Sequence, residues 1–362
     1  MKRSLAILMV LAVCPGYAQE VLITYQVDPV AVALGEAEVA RYGSPTAWET
    51  NPASLAGISG ITLRYANRDW EYWSPLNEAQ HYGVRANVQL PLGAVGIAYE
   101  RRIVRDIEIW DGTTLEKVAQ GDSRERMLEV AFGANVTESI AAGLTVRAYD
   151  NGLVDVTPAE YASSMTPACV VDVGLLYHVR RAHVSGVLHD TFCAGLVLRN
   201  FGSDLTARYF GIASGTGSQS LRLDRFLGIG CSYEVKVSGG GLMEFSTQVS
   251  AGYLNLLNPG KYETAMRDHW IVAIEVRLFK ILAVRAGGHA YPNEGIFGTK
   301  GQLAARYGIG LVAPVEYLGA PIPISVGFDC AWVPLMSGYL LEKKKATTTV
   351  LGLHCTYREP LW

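Results

Sequence analysis

Between His269 and His289 the sequence alternates in a way that fixes how the chain can fold. Trp270, Val272, Ile274, Val276 and Leu278 fall on one side of an extended strand, and His269, Ala273, Glu275 and Arg277 on the other, with Ile271 the one misfit. After a tight turn at 279–281, Leu282, Val284 and Ala286 resume the apolar side against Ala283, Arg285, Gly287 and His289. Side chains alternate faces along a strand, so the stretch predicts a hairpin with one oily and one wet wall. The oily wall meets either a soluble core or lipid. In this register Leu278 sits opposite Leu282, which sets Glu275 across from Arg285 on the wet side. That pair reads as charge neutralisation inside a narrow lumen rather than as a substrate site.

The amino terminus bears on the choice between core and lipid. Lys2 and Arg3 precede an apolar run from Leu5 to Val13, and Gly16-Tyr17-Ala18 gives a small-residue cleavage site before Gln19. This predicts a secretory signal peptide over 1–18, too short to span a membrane as a helix. Cys14 offers a lipoprotein alternative, with bulky Val13 where a lipobox wants a small residue. Cleavage after Ala18 removes two cations and no anion, which moves the formal charge from −3 to −5. With no basic patch, nucleic acid is not an expected partner. No run of eighteen apolar residues follows the signal, so a membrane location requires a closed barrel, in which every backbone group finds an internal partner.

Period-two runs bounded by turn residues give fourteen candidate strands, near 59–69, 79–90, 94–105, 124–135, 139–150, 168–180, 190–201, 223–236, 241–253, 267–278, 282–291, 303–313, 322–334 and 347–358. Most are longer than the five or six residues usual in soluble sheets and match the nine to eleven of tilted membrane strands. Short links such as 91–93, 136–138, 237–240 and 279–281 alternate with long polar ones such as 106–123, 151–167, 202–222 and 335–346. Outer-membrane barrels alternate short periplasmic turns with long external loops in this way, and an even strand count puts both termini in the periplasm. The expected fold is therefore an all-β transmembrane antiparallel barrel of about fourteen strands, in contact with outer-membrane lipid. Trp70, Tyr72, Trp73, Trp110, Tyr209, Phe210, Tyr253, Trp270 and Trp332 fall near strand ends, where a bilayer would use them as an interfacial girdle.

One segment is unlike the rest. Ala33-Leu34-Gly35-Glu36-Ala37-Glu38-Val39-Ala40 leads to Pro45-Thr46-Ala47-Trp48-Glu49-Thr50-Asn51-Pro52-Ala53-Ser54-Leu55-Ala56, whose small residues and Asn-Pro turn suit a chain folding tightly into a barrel mouth. The segment resembles the amino-terminal signature of the PorV/PorQ group and of the related FadL-type outer-membrane barrels. Val171–Tyr177, Leu198–Gly202 and Arg285–Gly288 are similar to the same group. The resemblance implies residues 19–58 as a periplasmic or plug segment, with Gly35, Trp48, Asn51, Pro52 and Ala53 as a plug or latch motif, and 59–362 as the barrel. PorV-like members are accessories of type IX secretion that handle cargo proteins at the cell surface, so secreted cargo and secretion components are the implied partners. FadL-like members admit hydrophobic small molecules. Only about forty residues precede the first strand, fewer than a complete FadL hatch.

No enzyme chemistry is indicated. The seven histidines show no H-E-x-x-H spacing, no G-x-S-x-G elbow occurs, and the glycine clusters lack the strand-loop-helix setting of a phosphate cradle. Cys169, Cys193, Cys231, Cys330 and Cys355 are scattered and odd in number, without a C-x-x-C pair. No metal and no cofactor are expected. Three functions follow for the barrel: a secretion or surface-attachment accessory, which the sequence favours; a FadL-like channel for hydrophobic or small solutes; or a structural barrel.

Overall fold

The computed structural model describes residues 27–70, 79–110, 116–157, 163–183, 187–211, 215–221, 223, 225–239, 243–257, 268–290, 303–319, 322–334 and 347–359. The predicted signal peptide, Tyr72 and Trp73 lie outside them. Seventeen strands are present among the described residues: β1 (Ile61–Trp70), β2 (Ala79–Leu90), β3 (Gly93–Trp110), β4 (Lys117–Asn135), β5 (Ile140–Thr157), β6 (Ser163–Thr166), β7 (Ala168–His183), β8 (Leu188–Gly202), β9 (Leu205–Gly211), β10 (Gly215–Leu221), β11 (Phe226–Ser238), β12 (Glu244–Leu256), β13 (Asp268–Leu278), β14 (Leu282–Ala290), β15 (Leu303–Pro314), β16 (Ile324–Pro334) and β17 (Thr347–Tyr357).

Fourteen of these close into one antiparallel wall. Each strand pairs with the next, except that β5 pairs with β7 across β6 and β8 with β11 across β9 and β10. The seam is β1 against β17, from Ile61 opposite Tyr357 to Arg68 opposite Val350. Closure leaves no strand edge bare in the wall, the condition for sitting in hydrocarbon. The sense of the wall is plain from exposure. Leu63, Val84, Ile97, Leu128, Leu144, Leu175, Val249, Val272, Leu311 and Leu353 point out and are exposed, while Arg64, Arg85, Glu100, Glu129, Arg147 and Glu275 point in and are buried. A water-soluble sheet would bury the first set. The structure is a closed antiparallel β-barrel of the transmembrane type, with fourteen wall strands.

The β13–β14 hairpin pairs Leu278 with Leu282 and Glu275 with Arg285. Its turn is closed by the Ile281 N–H donating to the Leu278 carbonyl at 3.1 Å, with Phe279 and Lys280 both at φ 57°. Within this three-residue link the β-turn 278–281 has both central residues left-handed, the backbone that matches strand twist.

Where the sequence suggested long loops on one side, strands continue. β3 runs on to Trp110, β4 begins at Lys117 and β5 reaches Thr157, while β6, β9 and β10 add short ladders beyond the wall. Tyr209 and Phe210 thus lie in β9. Above the lipid zone neither strand face must be oily, so the alternation that marks a wall strand fades although pairing continues. Register breaks also occur, among them one between Val104 and Ile107 beside Asp106 at φ 56°, and a second between Val171 and Val173 beside Asn200 at φ 62°. Such bulges re-aim side chains. At the second, the Asn200 N–H donates to Asp172 Oδ1 at 2.8 Å, which holds Asp172 inward.

Candidate functional site

The lumen is occupied by the chain that precedes β1. Residues 27–58 fold into helix α1 (Pro29–Ala33) and two 3-10 turns, Ala47–Glu49 and Pro52–Gly57, and nearly every side chain is buried. Asp28 caps α1 by accepting from the Val30 N–H at 2.9 Å, with Pro29 at the first helical position. Asn51 caps the last turn by accepting from the Ala53 N–H at 3.1 Å, and Pro52 again opens it.

Glycines on the wall make room for this segment. Gly133, Gly143 and Gly174 lie in one cross-strand row on β4, β5 and β7, and Gly195, Gly230 and Gly252 in another on β8, β11 and β12. Pro52 rests on Gly133 and Gly143, the Asn51 amide on Gly174, and the Val39 carbonyl on Gly195, each so close that a Cβ would overlap it. Gly35 lies against Gly288, where a Cβ would come to 2.8 Å of the backbone nitrogen, and the Trp48 ring covers Gly96. Gly35 is also left-handed at φ 58°. Small wall residues complete the fit. Trp48, Leu55 and Ile58 pack on Ala94, Ala98 and Ala131, and Val30, Leu34, Ala37 and Val39 on Val197, Leu254, Ile271 and Ala273. Ile271, the misfit on the wet face of β13, is apolar because it meets the plug.

Charges lock plug to wall. Asp28 pairs with Arg64 at 2.6 Å, Arg64 with Asp329 at 3.2 Å, Asp329 with Arg285 at 2.8 Å, Arg285 with Glu275 at 2.5 Å, and Glu275 with Arg41 at 2.8 Å. The chain of alternating charge thus begins and ends in the plug and crosses β1, β16, β14 and β13. The Glu275–Arg285 pair read from the hairpin is its middle link. A second cluster centres on Glu49, which Arg85 grips at both carboxylate oxygens while also pairing with Glu100. Arg147 donates to the Glu49 carbonyl at 2.9 Å, contacts Glu129 at 3.0 Å and pairs with Asp172. Asn51 Nδ2 donates to the carbonyls of Val39 and, on β7, Leu175, at 2.7 and 3.2 Å. Arg306 reaches Glu36 at 3.2 Å. Sequence reasoning found one of these links, since only neighbours in a hairpin have a register that spacing can set.

Buried charges of this kind separate sharply in what their loss should do. Glu275 is 3% exposed and shared by Arg41, Arg285 and Arg277, whereas Arg277 is 48% exposed at the rim. Glu275→Gln leaves inward arginines without their anion and is expected to destabilise the barrel by about 3 kcal/mol or more. Arg277→Ala is expected to cost less than about 1 kcal/mol. Urea titration followed by the boiling-sensitive shift in gel mobility measures both, and equal effects would contradict the assignment of Glu275 as a shared anion.

One apolar cluster of the inner wall contains no residue of the plug. Toward the external side, Met127, Tyr149 and Ala168 form a cross-strand row on β4, β5 and β7, and Val170 and Leu223 join it, all 4% exposed or less. Leu223, between β10 and β11, packs on the row. Below lies the Glu129, Arg147 and Asp172 cluster, and above lie Glu125 on β4 and Asn151 on β5, paired in register. A separate hollow of about 300 Å³ on the lipid side of β5, β7 and β8 is lined by Ile140, Leu175, Tyr177 and Leu196 and floored by Leu176, Ala194 and Gly195. The Val39 carbonyl behind Gly195 backs it.

Among the described residues the five cysteines are free thiols, and no group of three or more His, Cys, Asp or Glu side chains is placed to hold a metal. No family model matches the chain, and no curated protein matches it. Among solved structures it is similar to the CymD monoaromatic hydrocarbon channel, at 13% identity and a TM-score of 0.48, over 92% of this chain and 98% of that one. The toluene transporter TodX of Pseudomonas putida gives 10% and 0.49 over 94% and 100%. A FadL homologue of Pseudomonas aeruginosa gives 11% and 0.44 over 92% and 99%.

Proposed function

We propose that this barrel is a plugged channel for small hydrophobic solutes in the outer membrane of a Gram-negative-type bacterium, the FadL-like alternative of the sequence reading. The observation that carries it is the apolar row of Met127, Tyr149, Ala168 and Val170 inside the lumen, capped by Leu223. Barrel lumens that pass water and ions are polar. An apolar surface at the external mouth, above a segment that fills the lumen, gives a hydrophobic solute a place to leave water before any onward step. Purified barrel in detergent should bind a small hydrocarbon such as toluene saturably, and Val170→Asp should weaken that binding about tenfold or more. A barrel that takes up no more toluene than micelles of the same detergent removes the reading.

The PorV/PorQ resemblance supports a second reading, an accessory that holds secreted cargo or secretion components at the cell surface. One observation favours it: β3, β4 and β5 continue beyond the wall and, with β6, β9 and β10, raise a sheet on the side of the long connections. Such a sheet offers a protein-sized surface that a solute channel does not need. Recovery of the same surface proteins with the intact barrel, and their loss when 205–221 is replaced by a short Gly-Ser link, separates this reading from the first.

A further inference from the structure

On the side of the short links the wall is stepped. β5 begins at Ile140, which lies opposite Tyr177 on β7, but β7 runs six residues further to His183. β8 accompanies it down to Leu188, and β11 continues the sheet on the far side, with Val237 opposite Leu188. The β7–β8 hairpin therefore projects by about 20 Å of strand beyond its β5 neighbour, and its edge toward β5 is open. The last bond across the step fixes which groups stand there. The His178 N–H donates to the Ser139 carbonyl at 2.8 Å, while the Ser139 N–H turns back to Thr137 Oγ1 at 3.3 Å. In an antiparallel ladder alternate residues turn their N–H and C=O to opposite neighbours. The carbonyls of His178, Arg180 and Ala182 and the N–H groups of Arg180 and Ala182 thus face the open side, where no described strand pairs with them. The odd-numbered residues carry the ladder to β8.

An open edge is a template for another strand, and sheets usually blunt theirs with proline, a bulge or a covering loop. Arg180, Arg181, Ala182 and His183 are exposed and carry neither proline nor a register break. The edge is instead cationic. Arg180 has no ion pair among the described residues. Arg181 lies opposite Asp190, whose carboxylate already accepts from His183 at 2.7 Å and from the Tyr233 hydroxyl at 3.1 Å. Glu138, in the link before β5, stands only at the head of the step. Like charges keep a second copy of this edge away, whereas an acidic strand meets both the free backbone groups and the arginines. We infer that the projecting β7 edge is a docking site for an extended acidic segment of a periplasmic polypeptide, which joins β7, β8 and β11 as their next strand. The inference takes only the orientation of the barrel in the outer membrane from the reading above and holds whatever the lumen carries. Main-chain bonds to Arg180 and Ala182 supply the pairing, and Arg180 and Arg181 select acidic side chains.

The test is equilibrium binding of two short peptides to the intact barrel in detergent, one alternating glutamate with valine and one alternating lysine with valine. The acidic peptide is expected to bind saturably and about tenfold more tightly than the basic one. Two variants separate pairing from charge. Ala182→Pro removes an edge-facing N–H without touching the ladder to β8, a place where a strand tolerates proline, and should weaken the acidic peptide about fivefold or more. Arg180→Glu with Arg181→Glu should invert the preference, so that the basic peptide binds the tighter. The boiling-sensitive gel shift checks that both variants are folded. Equal binding of the two peptides by the intact protein, or no saturable binding of the acidic one, overturns the inference. So does dependence on charge without any effect of Ala182→Pro, which means an anion site of the kind that holds a lipid phosphate and not an added strand. Toluene binding is untouched by each of these outcomes, so failure here and failure of the channel reading are told apart.

Discussion

Deleting residues 27–57 converts a closed barrel into an ion-conducting one. In planar bilayers the intact protein is expected to hold no steady current, and the deletion variant to conduct about tenfold more or better. The wall does not need the plug to close. The β1–β17 seam is made of eight directly facing residue pairs outside the deleted segment, and Gly60, left-handed at φ 70° beside the Tyr357 carbonyl, is retained. What the deletion exposes is the row of Arg64, Arg85, Glu129, Arg147, Glu275, Arg285 and Asp329, now facing water instead of plug. Hydrated charges on a glycine-rich wall make a lumen wettable from end to end. Retention of the boiling-sensitive gel shift shows that the variant is folded. If a folded variant conducts no better than the intact protein, the external segments, and not residues 27–57, close the lumen.

The second large effect lies at the contact of Asn51 with β7. Gly174→Ala would place a methyl group on the Asn51 carbonyl oxygen, which overlaps it in the present geometry, and is expected to cost about 3 kcal/mol or more. Asn51→Gly alone loses the bonds to Val39 and Leu175 and the cap on Pro52–Gly57, about 1 kcal/mol for each hydrogen bond. Combined, the two should destabilise by less than their sum, by about 1 kcal/mol or more, because removing the amide also removes the clash. Gly319→Ala is the control. Gly319 is left-handed at φ 90° with open space around it, so only the backbone preference is lost, about 1 kcal/mol. Urea midpoints of the four variants decide the matter, and strict additivity of Gly174→Ala and Asn51→Gly would show that they do not meet.

These two sites also show what a sequence of this kind yields and what it hides. Period-two alternation with a lipid-facing belt is a local property, so the fourteen wall strands and the alternation of short and long links could be read directly. The Glu275–Arg285 pair followed because a tight turn fixes register within a hairpin. The row Gly133, Gly143 and Gly174 spans three strands, and its register depends on turns and a bulge whose geometry spacing does not encode. The same holds for the chain from Asp28 to Arg41, which joins elements more than two hundred residues apart. The apolar row at the mouth was missed for another reason. Tyr149 alternates with Arg147 and Thr145 on the wet face of its strand, and a lone aromatic there does not announce that Met127, Ala168 and Val170 stand beside it. Ile271 was the one visible clue that parts of the inner face are dry.

The ion-pair chain that begins at Asp28 and ends at Arg41 carries a consequence for how the molecule is made. Inner-face cations such as Arg64 and Arg85 take counter-ions, Asp28 and Glu49, from residues that come out of the ribosome before any wall strand does. A fourteen-strand sheet that curled up empty would leave these charges to water, and threading a bulky Trp48 and Pro52 into it afterwards would mean prising the seam apart. The seam joins the first wall strand to the last. Chain order therefore presents the interior first and the final strand last, and the sheet is wound around its own contents, with the β1–β17 joint as the step that seals them in.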